Sequence, residues 1–133
     1  MFKKIRRIIY VLIALLAIYK GVTIYQSVKR VLAYRPLVEQ VLAEDDNDTN
    51  EDLVLAVIYT ETKGQDDDVM QSSESSTGTT KSIRDNKESI KQGTRVLAQN
   101  LEKAQAAKTD SWTAVQAYNF GTNYINYVSE RGG

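Results

Sequence analysis

Acid–base chemistry in this chain falls to Asp, Glu, Lys and Tyr, because its 133 residues include neither His nor Cys. That absence excludes Ser–His and Cys–His nucleophile pairs, zinc sites built on those ligands and disulfides. Among the carboxylates, Glu61 stands out by its position. It follows the apolar run Leu53-Val54-Leu55-Ala56-Val57-Ile58-Tyr59, four residues after Val57 and eight after Leu53. At helical spacing it shares the buried stripe. Burial favours the neutral form of a carboxyl and raises its pKa, and the C-terminal end of the helix dipole acts in the same direction. An acid that keeps its proton near neutral pH is what protonation of a glycosidic leaving group requires. A Glu at a helix end can equally pair with a base or face water, and spacing alone leaves those readings open.

Three segments taken together say more: LAVIYTETKG (55–64), DVMQSSES (68–75) and AYNFG (117–121). In this order they resemble the CwlT-like lysozyme domain, a family of Gram-positive cell-wall muramidases related to goose-type lysozymes and lytic transglycosylases. The resemblance runs from about Arg35 to the last residue. It implies an all-α, lysozyme-like domain with a substrate cleft, needing no metal or organic cofactor. It implies cleavage of the β-1,4 MurNAc–GlcNAc bond of peptidoglycan glycan strands, with Glu61 as general acid and Thr62 in a place usually held by Ser. Met70, Gln71, Ser72, Ser73, Tyr118, Asn119 and Tyr124 are the implied substrate-binding residues. Glu74 is the first choice for a second carboxylate, ahead of Asp68, Asp67, Asp66 and Asp85. Without such a partner, ring closure to an anhydro sugar would make the protein a lytic transglycosylase. A peptidoglycan-binding module without turnover, and an accessory role in cell-wall or conjugation machinery, are the other readings. Members tend to continue beyond the equivalent of Glu130–Gly133, so the resemblance implies a C-terminally truncated domain.

The elements that must position these residues are helical. Thr49 and Asp52 have the spacing of a helix start, and Gly64 suits its stop. Asp85 with Glu88 marks another start, followed by Ile90, Thr94, Leu97, Ala98, Leu101 and Ala104 on one face. Asp110 or Ser111 caps a helix that ends at Asn119-Phe120-Gly121, and Tyr124, Tyr127 and Val128 open a last one. Trp112, Phe120 and Tyr127 read as core. The acidic run 44–52 reads as a solvated loop and not a calcium loop, since it lacks the turn Gly. Residues 62–82 read as a long, packed, functional loop. Strand-like alternation is absent.

The zero net charge is a sum of two opposed parts. Residues 1–35 carry eight bases and no acid, and the remainder carries nine bases and seventeen acids. The bases flank an apolar segment, Ile8–Tyr19, that resumes at Val22, and they imply no nucleic-acid groove. Residues 1–34 therefore read as a basic cytoplasmic tip, a membrane anchor and a helical stalk broken at Pro36. Four bases before the segment favour a cytoplasmic N-terminus, which makes the protein single-pass with its 35–133 domain extracellular. The alternative, a cleaved signal peptide, lacks a small-residue cleavage site.

Overall fold

In a computed structural model, which describes residues 1–72 and 85–132, every described element is a helix. In chain order they are α1 (Phe2–Leu32), α2 (Arg35–Glu44), α3 (Glu51–Thr62), α4 (Asn86–Ala106), α5 (Ser111–Phe120) and α6 (Asn123–Ser129). Ser73, Glu74 and the rest of 73–84 lie outside the described residues.

Helix α1 is unbroken through Lys20 and Gly21, so anchor and stalk are one rod of about 46 Å. It is long and apolar enough to cross a membrane. Residues 1–26 are all exposed, and Ser27 is the first buried one. Packing therefore begins before Arg35: Val31 is already part of the core. Pro36 sits in the first turn of α2, where its missing N–H is no loss.

Helix α3 begins one residue later than the Thr49 reading. Asn50 is the cap, its side chain accepting from the N–H groups of Asp52 and Leu53 at 2.9 and 3.2 Å. Thr49 is buried instead, with its N–H and hydroxyl both donated to Asn47 Oδ1. The other side of the Asn47 amide donates to the Thr94 carbonyl of α4 at 3.1 Å. The acidic run is thus not wholly solvated. Asp45 is only 14% exposed and pairs with Arg95 and Lys91 of α4, while Arg35 bridges Glu51 and Asp52.

The stop of α3 also differs by a residue. Lys63 takes the left-handed conformation (φ 54°), and Gly64 follows at φ 76°. The chain leaves α2 through Asp46 (φ 49°) and α4 through Lys108 (φ 59°) in the same way. Left-handed turns with 6→1 backbone bonds close both ends: Asn47 N–H to Leu42 and Thr109 N–H to Ala104, each at 2.9 Å. The starts of α4 and α5 follow the sequence, since Asp85 accepts from Glu88 N–H and Asp110 from Thr113 N–H.

The main core joins Val31 of α1, Val38 and Val41 of α2, Val54 and Ile58 of α3, and Ile90 and Leu97 of α4. Small residues, Ala104, Ala114 and Ala117, make a second cluster with Ile125 where α4, α5 and α6 meet. Trp112, Phe120 and Tyr127, expected in the core, are 71, 70 and 52% exposed. The faces of α5 and α6 that turn inward are built from Thr113, Ala114, Ala117 and Ile125, so small side chains set the close approach and the large rings fall outside. Tyr124 lies between Phe120 and Tyr127, tilted against the first ring at 5.2 Å and stacked on the second at 6.0 Å between centroids. Arg131 covers the Tyr127 ring at 3.6 Å.

Candidate functional site

Helix α3 delivers Glu61 to the point where the main core meets the surface. Val57 and Ile58, one turn earlier, are buried. Glu61 inherits that face but lies at the helix end, so it is half-buried. Its carboxyl is held above the ordinary glutamate range, first by burial and then by the negative charge of Asp68. Among the described residues it has no hydrogen-bond or ion-pair partner. This is the electrostatic state expected from its spacing.

Thr62, next to it, fastens the following loop. Its hydroxyl donates to the Val69 carbonyl at 2.9 Å and accepts from Gly64 N–H at 3.2 Å. The Thr62 hydroxyl therefore folds residues 64–69 back onto the end of α3.

Asp68 organises the rest of that loop. It is 5% exposed, and its Oδ1 accepts from Ser72 N–H at 2.9 Å, from the Ser72 hydroxyl at 3.2 Å and from the Ser89 hydroxyl of α4 at 2.5 Å. Ser89 Oγ in turn accepts from Met70 N–H at 2.9 Å. Ser72 also donates to the Ser89 carbonyl. Asn86, at the start of α4, accepts from the Tyr34 hydroxyl and donates to the carbonyls of Asp66 and Asp67. A loop rich in polar backbone groups is thus satisfied from inside by one carboxylate, two serines and one amide.

Two residues expected to line the cleft are interior. The Met70 side chain is completely buried, packed against Gly93 of α4. Ser72 is 1% exposed and committed to Asp68 and Ser89. Each is held by a partner on α4, far from it in sequence, which local motif reading does not show. Gln71 between them is exposed and in the left-handed region (φ 49°). Its amide donates to Asp66 Oδ2 at 3.2 Å and to the Asp68 carbonyl at 3.4 Å, not to Glu61. The turn directs the Met70 side chain inward and leaves Gln71 on the surface.

Tyr118 of α5 closes the arrangement. Its hydroxyl donates to the Met70 carbonyl at 2.5 Å. Its ionisation is pushed far upward by burial, with the charges of Glu61 and then Asp68 adding to it, so the phenol lies within electrostatic reach of both carboxylates. Asn119 is exposed beside it. Tyr124 stands apart, packed on the second cluster, with its hydroxyl donated to Gln116 at 3.0 Å. The structure therefore gathers Glu61, Asp68, Met70, Gln71, Ser72 and Tyr118, and leaves Tyr124 with the aromatic strip. Ser89 is the member that sequence reading missed. It lies in a helix without any motif around it, and only its contact with the 68–72 segment reveals it.

The chain as a whole has relatives in sequence and in fold. The Lysozyme-like family model matches residues 28–133. Pneumococcal vaccine antigen A of Streptococcus pneumoniae is 52% identical over 132 residues, which is 99% of this chain and 65% of that protein. The bifunctional muramidase/DL-endopeptidase CwlT of Bacillus subtilis is 31% identical over 115 residues, 86% of this chain and 33% of that protein. A Staphylococcus aureus crystal structure, described as similar to a lipoprotein of the NLP/P60 family, superposes with a TM-score of 0.73 at 36% identity, covering 78% of this chain and 35% of that one. The chain thus spans about two thirds of the length of the antigen and a third of the muramidase. A helical domain of this form, matched along four fifths of its length, belongs to the lysozyme-like family.

Proposed function

We propose that the chain is a peptidoglycan glycan-strand hydrolase of the CwlT type, an N-acetylmuramidase that cleaves the β-1,4 MurNAc–GlcNAc bond. The observation that carries this reading is the half-buried Glu61 carboxyl, raised by burial and by Asp68 at the end of a core helix in a lysozyme-like domain. Glu61 protonates the leaving oxygen, and the sugar passes through an oxocarbenium-like state. Asp68 supplies a buried negative charge within reach of the acid. That charge keeps the proton on Glu61 before the cut and favours a positively charged sugar during it. Gln71 and Asn119, both exposed beside the acid's loop and Tyr118, offer amides to the sugar. Met70, Ser72 and Tyr118 act behind them, holding the loop in place. Glu74 and Ser73 keep the roles that the family resemblance implies. The helix α1 anchors the domain outside the membrane, with Lys3, Lys4, Arg6 and Arg7 on the cytoplasmic side.

The test is mass analysis of muropeptides released from purified peptidoglycan by the detergent-solubilised chain and by its Glu61→Gln variant. Release of reducing-end products by the wild type alone supports the reading. Equal release by the variant sinks it. Anhydro ends would assign the second step to the substrate itself and make the protein a lytic transglycosylase. Binding without any product would make it a wall-binding module.

A further inference from the structure

We propose that α1 is a fixed-length arm that confines this site to glycan lying at the membrane surface, above all to strands still attached to the membrane by a lipid. The inference rests on the proposed anchor and glycan-cleaving roles, and goes beyond them by naming which glycan is within reach.

A bilayer's hydrocarbon core is crossed by about 20 helical residues. Counted from Arg7, the last base before the apolar run, twenty residues end at Ser27. Ser27 is also the first buried residue of α1, at 2% exposed. The domain therefore begins to pack where the lipid ends, with no linker between. Arg30 lies about 8 Å further along the axis than Tyr25. Its Nε donates to the Lys63 carbonyl at 3.2 Å, and another of its nitrogens reaches the Ser27 hydroxyl at 3.3 Å. Lys63 follows Glu61 by two residues. Gly64 presses on the same turn: a Cβ there would stand 3.5 Å from the backbone of Arg30 and Val31. Tyr34, just past the rod, is tied through Asn86 to the carbonyls of Asp66 and Asp67. Residues 63–67, which follow the acid, are thus fastened to the last turns of the anchor helix and to the turn just after it. A flexible stalk would let the site sample the depth of a wall; this one holds it within a few helical turns of the lipid.

The test uses the full chain in vesicles that also carry lipid-anchored, uncrosslinked glycan strands. Two variants insert 18 residues between Gln26 and Ser27. One insert is helical, which adds five whole turns and about 27 Å while keeping the facing of the domain. The other is a flexible Gly–Ser segment that makes no demand on helix phase. The readout is the length of glycan left on the lipid. The wild type leaves short stubs. The helical variant shifts the distribution to longer stubs, with the shortest class reduced about tenfold, because the tethered site no longer reaches them. The flexible variant broadens it. Strands freed from lipid and cut in detergent control for folding, and all three forms digest them alike. Unchanged stub lengths in a spacer variant that cuts free strands would overturn the arm. Failure of every form on free strands would overturn the glycan-cleaving reading itself, and this inference with it.

Discussion

Replacing Gly93 by Ala puts the packing behind the site to a direct test. Gly93 lies inside α4, and a Cβ built on it would stand 2.7 Å from Met70 Sδ and 2.8 Å from both Met70 Cβ and Cε. The sulfur and methyl can swing aside, but Met70 Cβ cannot. Its backbone is pinned on both sides, by Met70 N–H to Ser89 and by the Met70 carbonyl to Tyr118. Overpacking of this kind costs about 1–3 kcal/mol. Removal of a helix-interior glycine returns about 1 kcal/mol, so a net loss of up to about 2 kcal/mol is expected, or a Tm lower by up to about 10 °C for a domain of this size. Thermal unfolding followed by circular dichroism in detergent measures it. Met70→Ala alone should destabilise by about 2–5 kcal/mol. The double variant should lose less than the sum, since the methyl added at position 93 fills space that the Met70 side chain vacates. A Gly93→Ala variant that is simply more stable, as at an open helix position, would refute the packing argument.

Three further outcomes follow from the same geometry. Because the Glu61 carboxyl is raised, the native state holds that proton more tightly than the unfolded chain does. The resulting stability is complete below the unfolded value and is lost as pH rises through the folded one. Glu61→Gln should therefore match the wild type in acid and gain on it progressively with rising pH in denaturant titrations, while cleavage by the wild type declines over the same rise. Asp68→Ala leaves the Ser89 hydroxyl and Ser72 N–H without their acceptor, and should lower stability by at least about 2 kcal/mol in urea unfolding. Asn50→Ala removes the cap of the helix that carries Glu61 and should cost about 1 kcal/mol in the same assay.

The helices and the acid were legible in the sequence because the information is local. Val57 and Ile58 lie one turn before Glu61, and their burial settles its electrostatic state. Asp85 and Asp110 announce their helices by the N–H groups that their own short side chains reach. What was not legible depended on partners far along the chain. Asn50 and Thr49 are both plausible caps, and Asn47 decides between them by claiming Thr49 while holding Thr94. Met70 and Ser72 read as cleft-lining residues by resemblance, and only Gly93 and Ser89, far along the chain, show them drawn inward. Trp112, Phe120 and Tyr127 look like core by type, but the close approach of α4, α5 and α6 is set by alanines, which leaves no room for rings. Asp68 ranked behind Glu74 as a partner for Glu61, and only its pairing with Ser89 shows that it is buried beside the acid.

Three of these helices, α2, α3 and α4, end on a left-handed residue that is not glycine: Asp46, Lys63 and Lys108. Each side chain holds a conformation that disfavours a Cβ by about 1–2 kcal/mol. The fold therefore carries an unused reserve of stability. Glycine at these positions would release part of it without touching the core, and a lineage that did so could absorb a damaging change elsewhere. Lys63 is the exception in kind, since its carbonyl is the one that Arg30 holds. There a more supple backbone would trade tolerance to mutation against the rigidity of the joint.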